Sequence, residues 1–336
     1  MILRSDSWLF VPFLVALLAS APPAKAGSLP EGLLGDWTLR LESEEPAWLS
    51  LYEEGGKPRA RMRVYVGPEG PYDIDEVKDG WVRFALKKKR LAKRSDIFLE
   101  QHVELRLVDG KLEGILTRTP PEGEATVIPF TGKRIPPMPA SPPDLSEVRF
   151  GHPVSLFNGK DLAGWRPYED DKIMGWSVQD GLLVNSTPKT DFSATGDHAN
   201  LRTEAEFEDF WLHIEFLIEA DRNSGVYLRG MYEAQVVDRD SRMQGLQGVG
   251  AIFGRIKPSV NAGKPPGEWQ IYDLTLVDRH VTVVLNGVTV IDNQPVIGPT
   301  GGAIHTDPMA PGPIYLQGDH TAVKYRDIYL APVIRD

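Results

Sequence analysis

The stretch NSGVYLRGMYEAQVVD, Asn223 to Asp238, sets several reactive side-chain types on a β-like alternation. Every second residue from Gly225 gives Tyr227, Arg229, Met231, Glu233 and Gln235 on one face. The other face takes Val226, Leu228, Gly230, Tyr232, Ala234 and Val236, which is a core pattern. A phenol, a guanidinium, a carboxylate and an amide therefore share a face that is either a solvated sheet surface or the floor of a site. Paired carboxylates are the requirement of an ordinary glycosidase, and the candidates are Glu233, Asp238, Glu268 and Asp273. Glu233 stands out because Arg229 and Gln235 accompany it. Further on, LQGDHTAV puts Asp319 and His320 in a loop just after Gln317. The seven histidines are scattered, none in a close metal-binding pair, and the lack of any cysteine excludes thiol chemistry. No nucleophile-elbow sequence occurs. The glycines of QGLQGVGAIFG fit no dinucleotide fingerprint and read as a mobile surface loop on the rim of a binding face.

The elements that must position these groups are strands. FWLHIEFLIEA alternates strictly, with Leu212, Ile214, Phe216 and Ile218 facing a core and His213 on the polar side. Nearly two hundred residues of such segments, without a convincing amphipathic helix, imply two packed antiparallel sheets in a jelly-roll-like sandwich over residues 148–336. Residues 27–135 also alternate, and the Asp109-Gly110 turn suits a hairpin, so a small antiparallel barrel or sandwich is expected there in an accessory role. Between them, residues 136–147 carry five prolines within eight positions and read as a semi-rigid linker.

The first 26 residues have the parts of a cleavable signal peptide: Arg4, an apolar run from Trp8 to Ser20, and AKA at Ala24 to Ala26. A secreted or periplasmic protein with no membrane span after cleavage is expected. The formal charge is −10, and loss of the segment removes two positive charges (Arg4, Lys25) and one negative (Asp6), leaving −11. Such acidity argues against a nucleic-acid partner. The basic run LKKKRLAKR, Leu86 to Arg94, is expected to be a solvated loop.

FNGKDLAGW, WSVQDGLLV, NSGVYLRG, YEAQVVD, GEWQIYDLT, LNGVTV and GPIYLQGDHTAVKYRDIYL follow one another between Val154 and Val333. This ordered series resembles the bacterial 3-keto-disaccharide hydrolase family, formerly a domain of unknown function, whose fold is similar to the concanavalin-type and glucanase sandwich. The last motif departs from the family's tighter LQDHG turn and FRN strand. The resemblance implies a carbohydrate partner, and cleavage of glycosides already oxidised at the third ring carbon, by proton abstraction, elimination and hydration. In that chemistry Glu233 would be the base, Arg229 and Gln235 the oxyanion and hydroxyl partners, and His320 an acid or a metal ligand. Tyr227, Glu268, Trp269 and Gln317 join Gln235 as substrate-binding candidates. A divalent ion would do similar electrostatic work, with Glu233, Asp238 and His320 as candidate ligands. The alternative is a non-catalytic, lectin-like carbohydrate-binding module on the same sandwich.

Overall fold

The computed structural model describes residues 27–90, 96–188 and 197–335. The expected signal segment lies outside them. Among the described residues the chain is all β apart from a three-residue 3-10 turn at Gly245–Gln247, and no helix is long and apolar enough to cross a membrane.

Nine strands form the first body: β1 (Gly35–Leu41), β2 (Pro46–Glu54), β3 (Lys57–Val64), β4 (Tyr72–Asp73), β5 (Glu76–Lys78), β6 (Trp81–Arg90), β7 (Phe98–Val108), β8 (Lys111–Thr119) and β9 (Thr126–Arg134). All pairings are antiparallel, in the order β4-β3-β2-β1-β9-β8-β7-β6-β5. The two end strands are separated along the chain by Ile74 and Asp75 alone, so the sheet must curl until its ends meet. Asp75 N–H donates to the Arg83 carbonyl at 2.8 Å, and Tyr72 stacks on Phe84 at 6.4 Å across that seam. The result is a small barrel, one of the two forms expected. Its interior is the alternate apolar set, including Trp37, Leu49, Met62, Val82, Phe84, Val103 and Leu116. One expectation fails here. The first five residues of the basic run, Leu86–Arg90, finish strand β6 rather than forming a loop, because they pair with β7 while Lys88 and Lys89 meet Glu100 and Glu45. The rest of the run lies outside the described residues.

The second body uses β10 (Val154–Ser155), β11 (Trp165–Pro167), β12 (Trp176–Gln179), β13 (Leu182–Asn185), β14 (Leu201–Thr203), β15 (Phe210–Leu217), β16 (Asn223–Leu228) and β17 (Tyr232–Val237). It continues with β18 (Trp269–Val277), β19 (His280–Leu285), β20 (Val288–Pro295), β21 (Tyr315–Leu316) and β22 (Val323–Pro332). The larger sheet runs β12-β13-β22-β15-β18-β19-β20, with β10 on β22, and the smaller runs β11-β14-β21-β16-β17. Leu212, Ile214 and Phe216 of β15 are packed in one core with Val226, Leu228, Ala234 and Val236 of the smaller sheet. This is the jelly-roll-like sandwich expected from the alternation, and each of these side chains larger than alanine contributes roughly 1.5–3 kcal/mol by leaving water.

The proline-rich segment lies against the sandwich. Arg279 donates to the carbonyls of Pro136 and Pro137, and Asn293 to that of Pro143. The glycine-rich stretch is also docked, contrary to the surface loop expected. Gln235 N–H donates to the Ala251 carbonyl and Phe253 N–H to that of Glu233, which covers the free edge of β17 and buries Val249, Ala251 and Ile252.

Candidate active site

Strands β16 and β17 form a hairpin with Tyr227 beside Glu233 and Gly225 beside Gln235. β21 extends the row, with Tyr315 beside Tyr227, and Gln317 N–H donates to the Gly225 carbonyl. The odd-numbered residues thus share the outward face of the smaller sheet. That face is not wet: Tyr227, Glu233 and Gln235 are each at most 3% exposed. It floors a cavity of about 360 Å³, also lined by Asn200, Asn223, Phe253, Gly301, Gly302, Asp319 and His320. Arg63, Tyr65, Val66 and Gly67 of the barrel close another side, so the barrel does more than the accessory packing expected of it.

Glu233 is the chemical centre. Its side chain lies across Gly225, where a Cβ would overlap the Glu233 Oε1, so only glycine leaves the room. Its backbone N–H donates to Thr300 Oγ1 at 3.1 Å. Burial pushes its carboxyl up to about 8, against the pull of the Tyr227 hydrogen bond, with the Asp319 charge raising it further. Tyr227 Oη lies 3.0 Å from Glu233 Oε2 and 2.8 Å from the Gly301 carbonyl. One phenol proton cannot serve both acceptors. If Glu233 keeps its proton, it can donate to Tyr227 while Tyr227 donates to Gly301, and all three are satisfied. Burial and the Glu233 charge hold the Tyr227 phenol neutral.

At the other end, His320 Nδ1 lies 2.6 Å from Asp319 Oδ1. Their loop is fixed by Asn200 Oδ1, which accepts from the N–H groups of Gly318 and Asp319, and by Asn185 Nδ2, which donates to the carbonyls of Gly318 and Thr321. Three buried amide oxygens lining the cavity, Asn223 Oδ1, Gln235 Oε1 and Gln317 Oε1, lack a hydrogen-bond partner among the described residues. Buried acceptors are rarely left so, and together they suit a ligand rich in hydroxyl donors.

Five of the sequence candidates therefore converge: Glu233, His320, Tyr227, Gln235 and Gln317. Five do not. Arg229 and Gly230 follow one another with φ of +55° and +62° at the hairpin turn, which breaks the alternation. The buried Arg229 guanidinium donates to the carbonyls of Pro308 and Ala310, at 2.6 and 2.5 Å, and lies 3.9 Å from Asp209. It is a structural arginine. Trp269 lies on the outer face of the larger sheet beneath Arg326, 4.0 Å from its ring centre, and Glu268 beside it is exposed. Asp238 accepts the N–H groups of Asp221 and Asp240 and so caps a turn. Hence the three candidate metal ligands are not assembled, and no group of three or more His, Asp or Glu among the described residues is placed to hold a metal. Asp273, another candidate carboxylate, pairs with His213 on that same outer face at 2.8 Å.

The sequence reading missed Asn223, Tyr315, Tyr65 and Arg63. Asn223 and Tyr315 had a usable signal, since each lies one alternation step from a residue already singled out. The two barrel residues had none.

The family model of the 3-keto-alpha-glucoside-1,2-lyase-like domain matches residues 152–331. The chain belongs to this family. All the floor and loop residues of the cavity lie within the family domain; Arg63 through Gly67 lie before it. A 3-keto-disaccharide hydrolase of Bacteroides thetaiotaomicron is 24% identical over 143 residues, 34% of this chain and 49% of the relative. The chain thus spans about half the length of the curated relative it matches. A Parabacteroides distasonis protein described provisionally as a glycosyl hydrolase has 22% identity and a TM-score of 0.44, over 54% of this chain and 94% of its own. Porphyranase B of Zobellia galactanivorans has 10% identity and a TM-score of 0.36, over 59% and 98%. The fold assignment rests on the sheets themselves.

Proposed function

We propose that the protein is an exported glycoside-cleaving enzyme acting on sugars oxidised to a ketone at the third ring carbon. The single observation that carries the reading is Glu233: one buried carboxyl, raised to about 8, under a cavity of unpartnered amide oxygens. A base for a carbon acid works best with a value near the operating pH, and Glu233 is so placed. Ionised Glu233 takes the hydrogen from the second ring carbon, and its bonding pair moves onto the ketone as an enolate. The side-chain amides of the floor offer N–H donors to such charge. The ketone re-forms as a double bond appears between the first and second ring carbons. The bond from the anomeric carbon to the aglycone oxygen breaks, and its electron pair leaves with that oxygen. The Asp319–His320 pair supplies the proton that the oxygen takes up. Water then adds across the double bond and gives the free 3-keto sugar. The family description and the name of the Bacteroides relative agree with this substrate class.

A second reading has an observation of its own. Asp319 is a second carboxyl in the same cavity, so Glu233 as acid and Asp319 as partner would make an ordinary two-carboxylate glycosidase. Incubation with a 3-keto-glucoside and with its unoxidised parent separates the two. Aglycone release from the oxidised compound alone is expected. Release from the parent at a similar rate favours the second reading. Release from neither by folded protein sinks both and leaves the carbohydrate-binding module.

A further inference from the structure

The family domain starts at residue 152, yet a wall of the cavity comes from some ninety residues earlier. Along β3, Ala60, Met62 and Val64 point into the barrel, and Arg61 and Arg63 point out. Tyr65 continues the outward series with φ of +54°, a backbone region disfavoured for a bulky side chain and common at functional sites. Two hydrogen bonds pin it there: its N–H donates to the Pro46 carbonyl at 2.8 Å, and its own carbonyl accepts from Gly302 N–H at 3.2 Å. Glu69, at the far end of the same loop, is clasped by an arginine from each body. Arg63 donates to it at 2.9 and 3.2 Å, and Arg255 of the sandwich at 2.6 and 2.5 Å. Arg255 also stacks against Trp48 of the barrel. Taking three charges largely out of water is costly unless the geometry is well satisfied, and here it fixes one loop over one cavity.

We propose that Tyr65 is a substrate-contacting residue of this site and that the Arg63–Glu69–Arg255 cluster is what positions it. The inference rests on the proposed function above. Tyr65 sits near Asp319 and Glu169, and burial together with these charges keeps its phenol protonated. It is therefore a donor at the Asp319–His320 end, where the departing oxygen leaves. Arg63 lies towards the Glu233 end, beside Gly301, and its charge opposes the rise of Glu233. The wall so spans both ends of the reaction.

The test uses the full-length protein and two 3-keto-glucosides, one with a methyl aglycone and one with 4-nitrophenyl. A donor to the leaving oxygen matters most when that oxygen is basic. Tyr65→Phe should lower kcat/KM roughly tenfold on the methyl compound and clearly less on the nitrophenyl one. Glu69→Gln should show the same discrimination, and the double variant should be no worse than Tyr65→Phe alone. Equal losses on both compounds, or none, overturn the contact, and additive losses overturn the positioning role. Glu233→Gln distinguishes the failures. If it is inactive while Tyr65→Phe matches the unmodified protein, only this inference falls. If the unmodified protein is itself inactive on both compounds, the proposed function falls and takes the inference with it.

Discussion

The two outward faces of the sandwich carry the same kinds of side chain under opposite conditions. On the larger sheet, His213 pairs with Asp273, and Arg326 bonds Glu215 at 2.7 Å while covering Trp269. These charges have their partners in reach, and Tyr329 beside them stays 38% exposed. On the smaller sheet, among the described residues, Glu233 has no cation bonded to it and three amide oxygens face the cavity unpartnered. The difference is cover. The side chains of the first face keep part of their surface in water, which can finish what they leave undone. The docked 249–253 segment, the 300–302 loop and the barrel all crowd the second, so polar groups there are desolvated and wait for a ligand. A face that satisfies itself is a surface; one that cannot is a site.

The sharpest way to break this contrast is Glu233→Gln. Turnover should fall roughly 10²- to 10⁴-fold, as for loss of a general base, while sugar binding is kept. Stability should move the other way. A carboxyl raised from 4.5 to about 8 prefers to ionise in the unfolded chain, so wild-type stability falls as pH rises from about 4.5 towards 8. The Glu233→Gln variant lacks that penalty, a gain of roughly 3 kcal/mol near neutrality that vanishes by about pH 4. Thermal melts of both proteins across that range check it, and parallel curves would refute the buried neutral acid. In wild type, kcat/KM should climb with pH through the same region if Glu233 is a base. It should decline there if Glu233 is an acid.

Gly225→Ala attacks the same floor sterically. The new methyl group must displace Glu233, because the Cβ position is already taken by Oε1, Cγ and Cδ of that side chain. Overpacking of this kind costs about 1–3 kcal/mol, and activity should fall at least tenfold by misplacing the carboxyl. Wild-type kinetics in a folded Gly225→Ala variant would show that the position of Glu233 on the floor is unimportant.

Which of these features could be read beforehand follows from the range of the interactions involved. Alternation is local, so the core positions of β15–β17 and the shared face of Tyr227, Glu233 and Gln235 were legible. Arg229 was not, because it is one of two successive left-handed residues in the turn, outside the alternation of either strand, and a parity rule has no term for that. Trp269 and Glu268 failed for another reason: alternation says that a strand has two faces, not which sheet it joins. Asp238 looks like any strand-end acid until its two turn N–H partners are seen. Tyr65 and Arg63 reach the cavity across more than a hundred and fifty residues of chain. Their pattern, arginines alternating with apolar residues, is that of an ordinary exposed strand face.

The smallest effect belongs to the satisfied face, and it tests the contrast from the other side. Asp273 raises His213 by hydrogen bonding to its charged form, against partial burial. A histidine raised above its unfolded value contributes stability below about pH 6.5 and loses that contribution as pH rises through its folded value. The pair is solvent-accessible, so its worth is below about 1 kcal/mol and shrinks with salt. Asp273→Asn should therefore lower the melting temperature slightly at pH 5 to 6, leave it unchanged at pH 8.5, and leave kcat and KM alone throughout. A loss of turnover in that variant, with its melting curve intact, would mean that the outer face is functional after all and that cover does not distinguish the two.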